Sequence, residues 1–350
     1  MKKRLSAAAR LPLFLFLMAS FGISNSAQAL SSSRIDQPID IQPAAPQRAP
    51  WGANTSGPFY TGTADVEPGG SFYVEPYLFD NREHASESDQ FVQKMALGMG
   101  HHMEFDLLIP LEENSVPAAY SPTGKKVSDF EPGDSLLTFK YQLTPDADTY
   151  RFWAKPTITV TADFLLPSGN VHDLRPQLSG TDQSGNGTFE EGVGVLVRKR
   201  FKPFVAYGQL GETVASPATV SAGYEYDNNI GVVPPGMNEV RMVDGNQFAY
   251  SGALEDVFNT KHGIGAILEA TGAVQSGQNP FFGKATAPTF SYLSMAPELE
   301  FTWPAGKRFA MTWGGGVTIP VARNNYARTV TPMVTVSFYF NGPNGSRSSD

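Results

Sequence analysis

The stretch Thr329-Val330-Thr331-Pro332-Met333-Val334-Thr335-Val336-Ser337-Phe338-Tyr339-Phe340 alternates in polarity along its whole length. Val330, Pro332, Val334, Val336, Phe338 and Phe340 take the even positions. Thr329, Thr331, Met333, Thr335, Ser337 and Tyr339 take the odd ones. A period of two sends the two sets to opposite faces of a strand. Ordinary strands run about five or six residues, whereas a tilted strand needs about nine to eleven to cross a bilayer. The apolar set ends in aromatics, as an interfacial girdle requires, and the other face is mostly Thr and Ser instead of charge.

Working back along the chain, the same pattern recurs with its parity reset at each turn. Phe309, Met311, Trp313, Val317 and Ile319 oppose Arg308, Ala310, Thr312, Gly314 and Thr318. Leu293, Met295, Pro297, Leu299, Phe301 and Trp303 oppose Tyr292, Ser294, Glu298, Glu300 and Thr302. Ile158, Val160, Ala162, Phe164 and Leu166 oppose Thr157, Thr159, Thr161 and Asp163. Less regular copies lie near 71–79, 91–99, 102–110, 133–143, 188–198, 201–211, 217–226, 247–258 and 262–272, and no comparable helical period is present. A soluble β-sandwich would bury the apolar face as a core; strand length, aromatic ends and the uncharged polar face favour lipid on that side. In hydrocarbon an open sheet edge is excluded, and closed single-chain bacterial barrels normally have an even strand number. The thirteen candidates therefore predict an all-β, transmembrane, antiparallel up-and-down β-barrel of bacterial outer-membrane type, with about 12 strands. The gaps 111–132, 167–187 and 227–246 are expected to be its long external loops.

The chain ends carry different information. Residues 1–29 have a basic start, an apolar run from Leu11 to Ile23 and an Ala27-Gln28-Ala29 end, the layout of a secretory signal peptide cut after Ala29. Cleavage would remove four basic residues and no acidic one, taking the formal net charge from −8 to −12. Residues 30–70 are rich in Pro and small polar residues and are expected to be a flexible periplasmic segment; its aromatics Trp51, Phe59 and Tyr60 could still dock. The barrel is expected over 71–340, with a polar tail over 341–350. The 350 residues contain no Cys, which excludes disulfides, thiolate metal sites and a cysteine nucleophile. The acidic balance argues against nucleic acid as a partner. Only 17% of residues are charged, below the about 25% of soluble domains.

Several phrases together resemble a known family. They are Gly133-Asp134-Ser135-Leu136-Leu137-Thr138-Phe139-Lys140-Tyr141, then Phe164-Leu165-Leu166-Pro167-Ser168-Gly169, the Leu97-Gly98 turn before Met103-Glu104-Phe105, and Glu75 in the first strand. They resemble the outer-membrane transporter family associated with the meta-pathway of phenol degradation, over most of 71–340. The resemblance implies an outer-membrane channel for small, often aromatic or apolar compounds, with no catalytic residue. Barrels of this kind often end on an aromatic residue read by the barrel assembly machinery. Here Phe338-Tyr339-Phe340 has that character, but ten polar residues follow.

Parity predicts which side chains line the lumen: Glu75, Lys94, Glu104, Asp106, Lys140, Asp163, Arg198, Glu225, Glu255, Glu269, Glu298, Glu300 and Arg308, with Tyr73, Tyr77, Tyr292 and Tyr339. Charges there must be wet or paired. They either stiffen the barrel as lumen ion pairs or form a cation-leaning eyelet, and the four tyrosines either pack the lumen or make an aromatic track. No metal site or cofactor is expected: the vicinal His101-His102 pair sits in a predicted tight turn, and Gly314-Gly315-Gly316 lacks the Lys-Ser/Thr of a phosphate loop. No Gly-x-Ser-x-Gly elbow occurs. The sequence thus points to passive diffusion of a small-molecule solute through a barrel in outer-membrane lipid. A non-conducting structural barrel and an outer-membrane barrel enzyme are the alternatives.

Overall fold

The computed structural model describes residues 58–340, apart from 68, 83–86, 120, 122–123, 145–154, 174–177, 179–180, 183, 186, 202–203, 222–238, 243–244, 260–263, 277–289, 305–308 and 325–329. Its strands are β1 (Phe72–Arg82), β2 (Glu87–Gly100), β3 (Met103–Val116), β4 (Val127–Pro132), β5 (Ser135–Thr144), β6 (Thr157–Leu166), β7 (Glu190–Phe201), β8 (Phe204–Ala215), β9 (Ala218–Ser221), β10 (Glu239–Met242), β11 (Gln247–Asn259), β12 (Ile264–Gln275), β13 (Phe290–Pro304), β14 (Phe309–Asn324) and β15 (Thr331–Phe340). No α-helix occurs among the described residues.

Twelve of these strands form a closed antiparallel barrel, each paired with its neighbours in the chain, and β1 pairs with β15 to seal the cylinder. Closure leaves no unpaired edge in hydrocarbon, as the bilayer demands. Of the thirteen segments read from sequence, the short one near 217–226 is the one that drops out. Its β9 pairs only with β10, in a separate two-stranded sheet. The expected loop over 111–132 is also corrected. Leu111–Val116 extends β3, and β4 pairs with it residue for residue. The apolar Val127 and Phe130, set among polar residues, hid that extension from an alternation test.

The barrel strands are 10 to 16 residues long. Their outward positions carry the large exposed apolar side chains, among them Leu210, Leu254, Leu268, Leu299, Val193 and Val334, with Phe301, Trp303 and Trp313 toward one end. On β15 the odd positions 331 to 339 are all buried inward. The apolar set therefore faces lipid and the polar set the lumen. The two-residue hairpin at His101–His102, with both φ angles positive, and the connections 202–203, 260–263 and 305–308 share one end with the start of β1 and the end of β15, while the longer connections 167–189, 216–246 and 276–289 lie at the other. By the rule of short periplasmic turns, that end is periplasmic.

β4 and β5 are two parts of one path along β3, broken at Gly133-Asp134. At this break the two most distinctive family-like phrases meet. Gly169 donates its N–H to Asp134 Oδ1 at 2.9 Å. Ser135 donates its N–H to Ser168 Oγ, and the Ser168 hydroxyl donates to the Gly133 carbonyl, both at 2.9 Å. A Cβ on Gly169 would lie 1.8 Å from the Ser184 carbonyl oxygen, so only glycine allows this approach.

Candidate functional site: an occluded polar lumen

The described part of the Pro-rich segment, residues 58–70, runs inside the barrel instead of hanging free below it. Thr61, Thr63, Ala64, Asp65, Val66 and Glu67 are all buried. A segment with so few apolar side chains stays in place only where the wall satisfies its backbone groups. Glu269 on β12 does most of this, accepting the N–H of Tyr60 at 3.0 Å and both the N–H and hydroxyl of Thr61. Gln209 on β8 accepts the Gly62 N–H at 2.7 Å. The Ala64 carbonyl accepts from Gln142 on β5 and Thr159 on β6. Asp65 pairs with Arg198 on β7, and Glu104 on β3 accepts the Glu67 N–H at 2.5 Å. The segment thus crosses from the β12–β14 side to the β5–β7 side and turns along β3. It joins β1 through hydrogen bonds between Gly70, Ser71 and Gly98.

Aromatic contacts anchor its start. The Tyr60 hydroxyl bonds to that of Thr318 at 2.6 Å. The Phe59 ring meets Tyr77 edge-on at 5.9 Å, Tyr77 stacks on Phe79 at 5.9 Å, and Tyr60 lies 6.3 Å from Phe79. Phe59 fits because Gly314 has no side chain; a Cβ there would lie 2.7 Å from Phe59 Cζ. Gly314 is thus a seat for the lumen segment.

The wall residues read from parity sit as follows. Glu75, Glu104, Asp106, Lys140, Arg198, Glu255, Glu269, Glu298, Glu300, Tyr73, Tyr77 and Tyr339 are buried in the lumen, while Lys94, Asp163 and Tyr292 are half-buried. Arg308 and Glu225 lie outside the described residues. Lys140 bridges Glu104 at 2.7 Å and Asp106 at 2.6 Å. Lys94 lies 3.7 Å from Glu75, which also accepts from Ser337, and 5.5 Å from the centre of the Tyr73 ring. Asp163 accepts from Thr138 and Thr161, and the Tyr207 hydroxyl donates to Glu255 at 2.5 Å. Near the periplasmic mouth Tyr73 and Tyr339 lie 5.5 Å apart across the β1–β15 seam.

These groups divide the lumen by charge. Among the described residues, its cations Lys94, Lys140, Arg198 and Arg200 all stand on β2, β5 and β7, while β11, β12 and β13 contribute only the acids Glu255, Glu269, Glu298 and Glu300. The segment lies across this field in the matching sense. The N–H groups of Tyr60 and Thr61 face the acidic side, and Asp65 and the Ala64 carbonyl face the side that holds Arg198. Parity put Thr159 on the inward face but did not single out Gln142, Gln209 and Arg200, because uncharged or clustered positions carry no signal of their own, nor Asp65 and Glu67, because they lie outside any alternating segment. His101, His102 and His172 are exposed, and no cluster able to hold a metal ion occurs among the described residues.

No family model matches the sequence, and no curated protein matches it. Solved structures do match in fold. A COG4313 outer membrane channel from Pseudomonas putida F1 superposes with a TM-score of 0.60 at 10% identity, over 81% of this chain and 99% of that one. The toluene transporter TbuX from Ralstonia pickettii gives a TM-score of 0.36 at 10% identity, over 79% of this chain and 90% of that one, too low to carry an argument. Together with the lipid-facing belt, the first match makes this chain a 12-strand barrel of the outer-membrane type.

Proposed function

We propose that this protein is an outer-membrane channel for small molecules, aromatic and apolar ones included, that cross by passive diffusion once the lumen segment moves aside. One observation carries the reading. The lumen is crossed by a separate stretch of chain, the described part of residues 58–70, held by polar contacts to a charged wall. The series Phe79, Tyr77, Phe59 gives a planar solute a sequence of ring contacts from the outer end down to the block. The match to a structure titled as a channel supports the same reading, as does the joining of Gly133-Asp134 to Ser168-Gly169, the phrases that resemble the phenol meta-pathway family. On this reading the chain is exported with cleavage after Ala29 and inserted by the barrel assembly machinery.

Planar-bilayer recording and liposome uptake of small aromatic solutes test the proposal on the full refolded chain. Step conductance, together with aromatic uptake faster than in protein-free liposomes, is expected. Absence of any step in every salt, for the native chain and for variants with a weakened lumen segment, would leave the structural barrel as the surviving reading. Ester or lipid hydrolysis lost on replacing a rim serine would favour the enzyme.

A further inference from the structure

Five adjacent strands bring Phe204, Asp256, Ala266, Leu299 and Gly315 to the lipid face at one level. The registers run Phe204 to Asp256, Asp256 to Ala266, Ala266 to Leu299, and Leu299 to Gly315. All five positions point outward, because the alternate residues Val205, Glu255, Ile267 and Glu298 are buried inward. With only a methyl at Ala266 and no side chain at Gly315, the wall is hollow there. The result is a groove of about 540 Å³ flanked by Leu254, Leu268 and Leu299, within the range of small-molecule sites. Those three leucines are 41%, 51% and 63% exposed, so the groove opens to the bilayer.

Asp256 lines the same groove. It is half-buried on the lipid side, two residues from the exposed Phe258 and close to the β11–β12 turn at the periplasmic end. Phe301, Trp303 and Trp313 mark the interface on the neighbouring strands. A carboxylate facing lipid is disfavoured unless a counter-charge meets it. Among the described residues none forms an ion pair or hydrogen bond with Asp256. The site therefore has an anionic end at headgroup level and an apolar slot leading from it into the hydrocarbon.

We propose that this groove binds one phospholipid of the periplasmic leaflet whose headgroup is a primary ammonium, with an acyl chain in the slot and the ammonium on Asp256. Charge selects the occupant. A phospholipid with an uncharged glycerol head presents only its phosphate and is repelled by the carboxylate, whereas an ammonium head brings a counter-charge. A second copy of the chain would have to bring a base to the same level.

The test uses the full folded barrel in mild detergent, titrated with phosphatidylethanolamine or phosphatidylglycerol of identical acyl chains and read by native mass spectrometry. One phosphatidylethanolamine per barrel is expected, retained about fivefold more tightly than phosphatidylglycerol, the size of a single charge contact at a membrane surface. Asp256→Asn should erase that preference, and Gly315→Leu should weaken both lipids by filling the slot. Heat-modifiable gel migration shows that each variant is folded. Should Asp256→Asn fail to fold, a photoreactive phosphatidylethanolamine on the native chain decides the matter, with label on 247–259 or 264–275 expected. Equal retention of the two lipids, an unchanged preference in Asp256→Asn, label confined elsewhere, or dimers in place of lipid adducts would overturn the proposal.

Discussion

Replacing Asp65 by alanine should unlatch the lumen segment while leaving every strand of the wall intact. Asp65 and Arg198 form an ion pair whose side chains are only 6% and 3% exposed. Removing one member of such a pair costs about 3–5 kcal/mol, because the other charge is left buried without its partner. Arg198 also faces Glu255, which softens its loss, so the low end applies. About 3 kcal/mol shifts the ratio of displaced to seated segment by roughly 150-fold. The remaining contacts, chiefly the three donors on Glu269, still hold the other end. Single-channel recording should therefore show a large rise in open probability, with the full open level unchanged because the wall is unaltered. Exchanging the charges, Asp65→Arg with Arg198→Asp, should restore the closed state. An open probability for Asp65→Ala within about threefold of the native chain, in a barrel that migrates as folded, would refute the latch.

Gly314→Val should act in the same direction, since its Cβ would lie 2.7 Å from Phe59 Cζ, whereas Gly208→Ala, with nothing within 4 Å, should leave the recordings unchanged. Burial, reinforced by the Glu269 and Glu298 carboxylates and opposed by the Thr318 hydrogen bond, pushes the Tyr60 phenol up to about 12. A displaced segment would return it to its ordinary value near 10, so the seated state should hold fully below pH 10 and weaken as the pH rises from there toward 12; conductance independent of pH across that window would contradict this placement of Tyr60. Leu210→Arg, on a side chain 55% exposed to lipid and six residues into β8 from its periplasmic start, should destabilise the barrel by about 2–4 kcal/mol at mid-bilayer depth in urea unfolding from vesicles, and a loss below about 0.5 kcal/mol, the usual effect of a surface change in water, would place that face in water.

Much of this architecture was legible because a lipid-spanning strand exposes its whole pattern in sequence. Thr331 to Phe340 can be read residue by residue, since one face must be apolar throughout and the other must not. The even-number rule removed one candidate without naming it, and the structure identifies it as the segment near 217–226, which is too short to cross. The extension of β3 past Leu111 and the break at Gly133-Asp134 were not legible, because strands beyond the bilayer lose the lipid constraint that enforces alternation. The inward set Glu75 to Glu300 followed from parity. The lumen segment did not, because its folding code lies in the wall. Thr61, Gly62 and Asp65 are ordered by Glu269, Gln209 and Arg198, each more than 130 positions away, and no local pattern in 30–70 records them.

The seam between the first and last strands also sets an order of events. β1 finds its second partner only when residues 331–340 arrive, and the Tyr60 and Thr61 contacts span 209 and 208 positions. Until the C-terminal strand is in place there is no enclosed interior, and Glu269 keeps its water. Seating residues 58–70 is therefore a late step of biogenesis, coupled to dehydration of the wall, and a chain truncated before Thr331 would present Glu269, Glu298 and Glu300 to solvent with nothing to cover them.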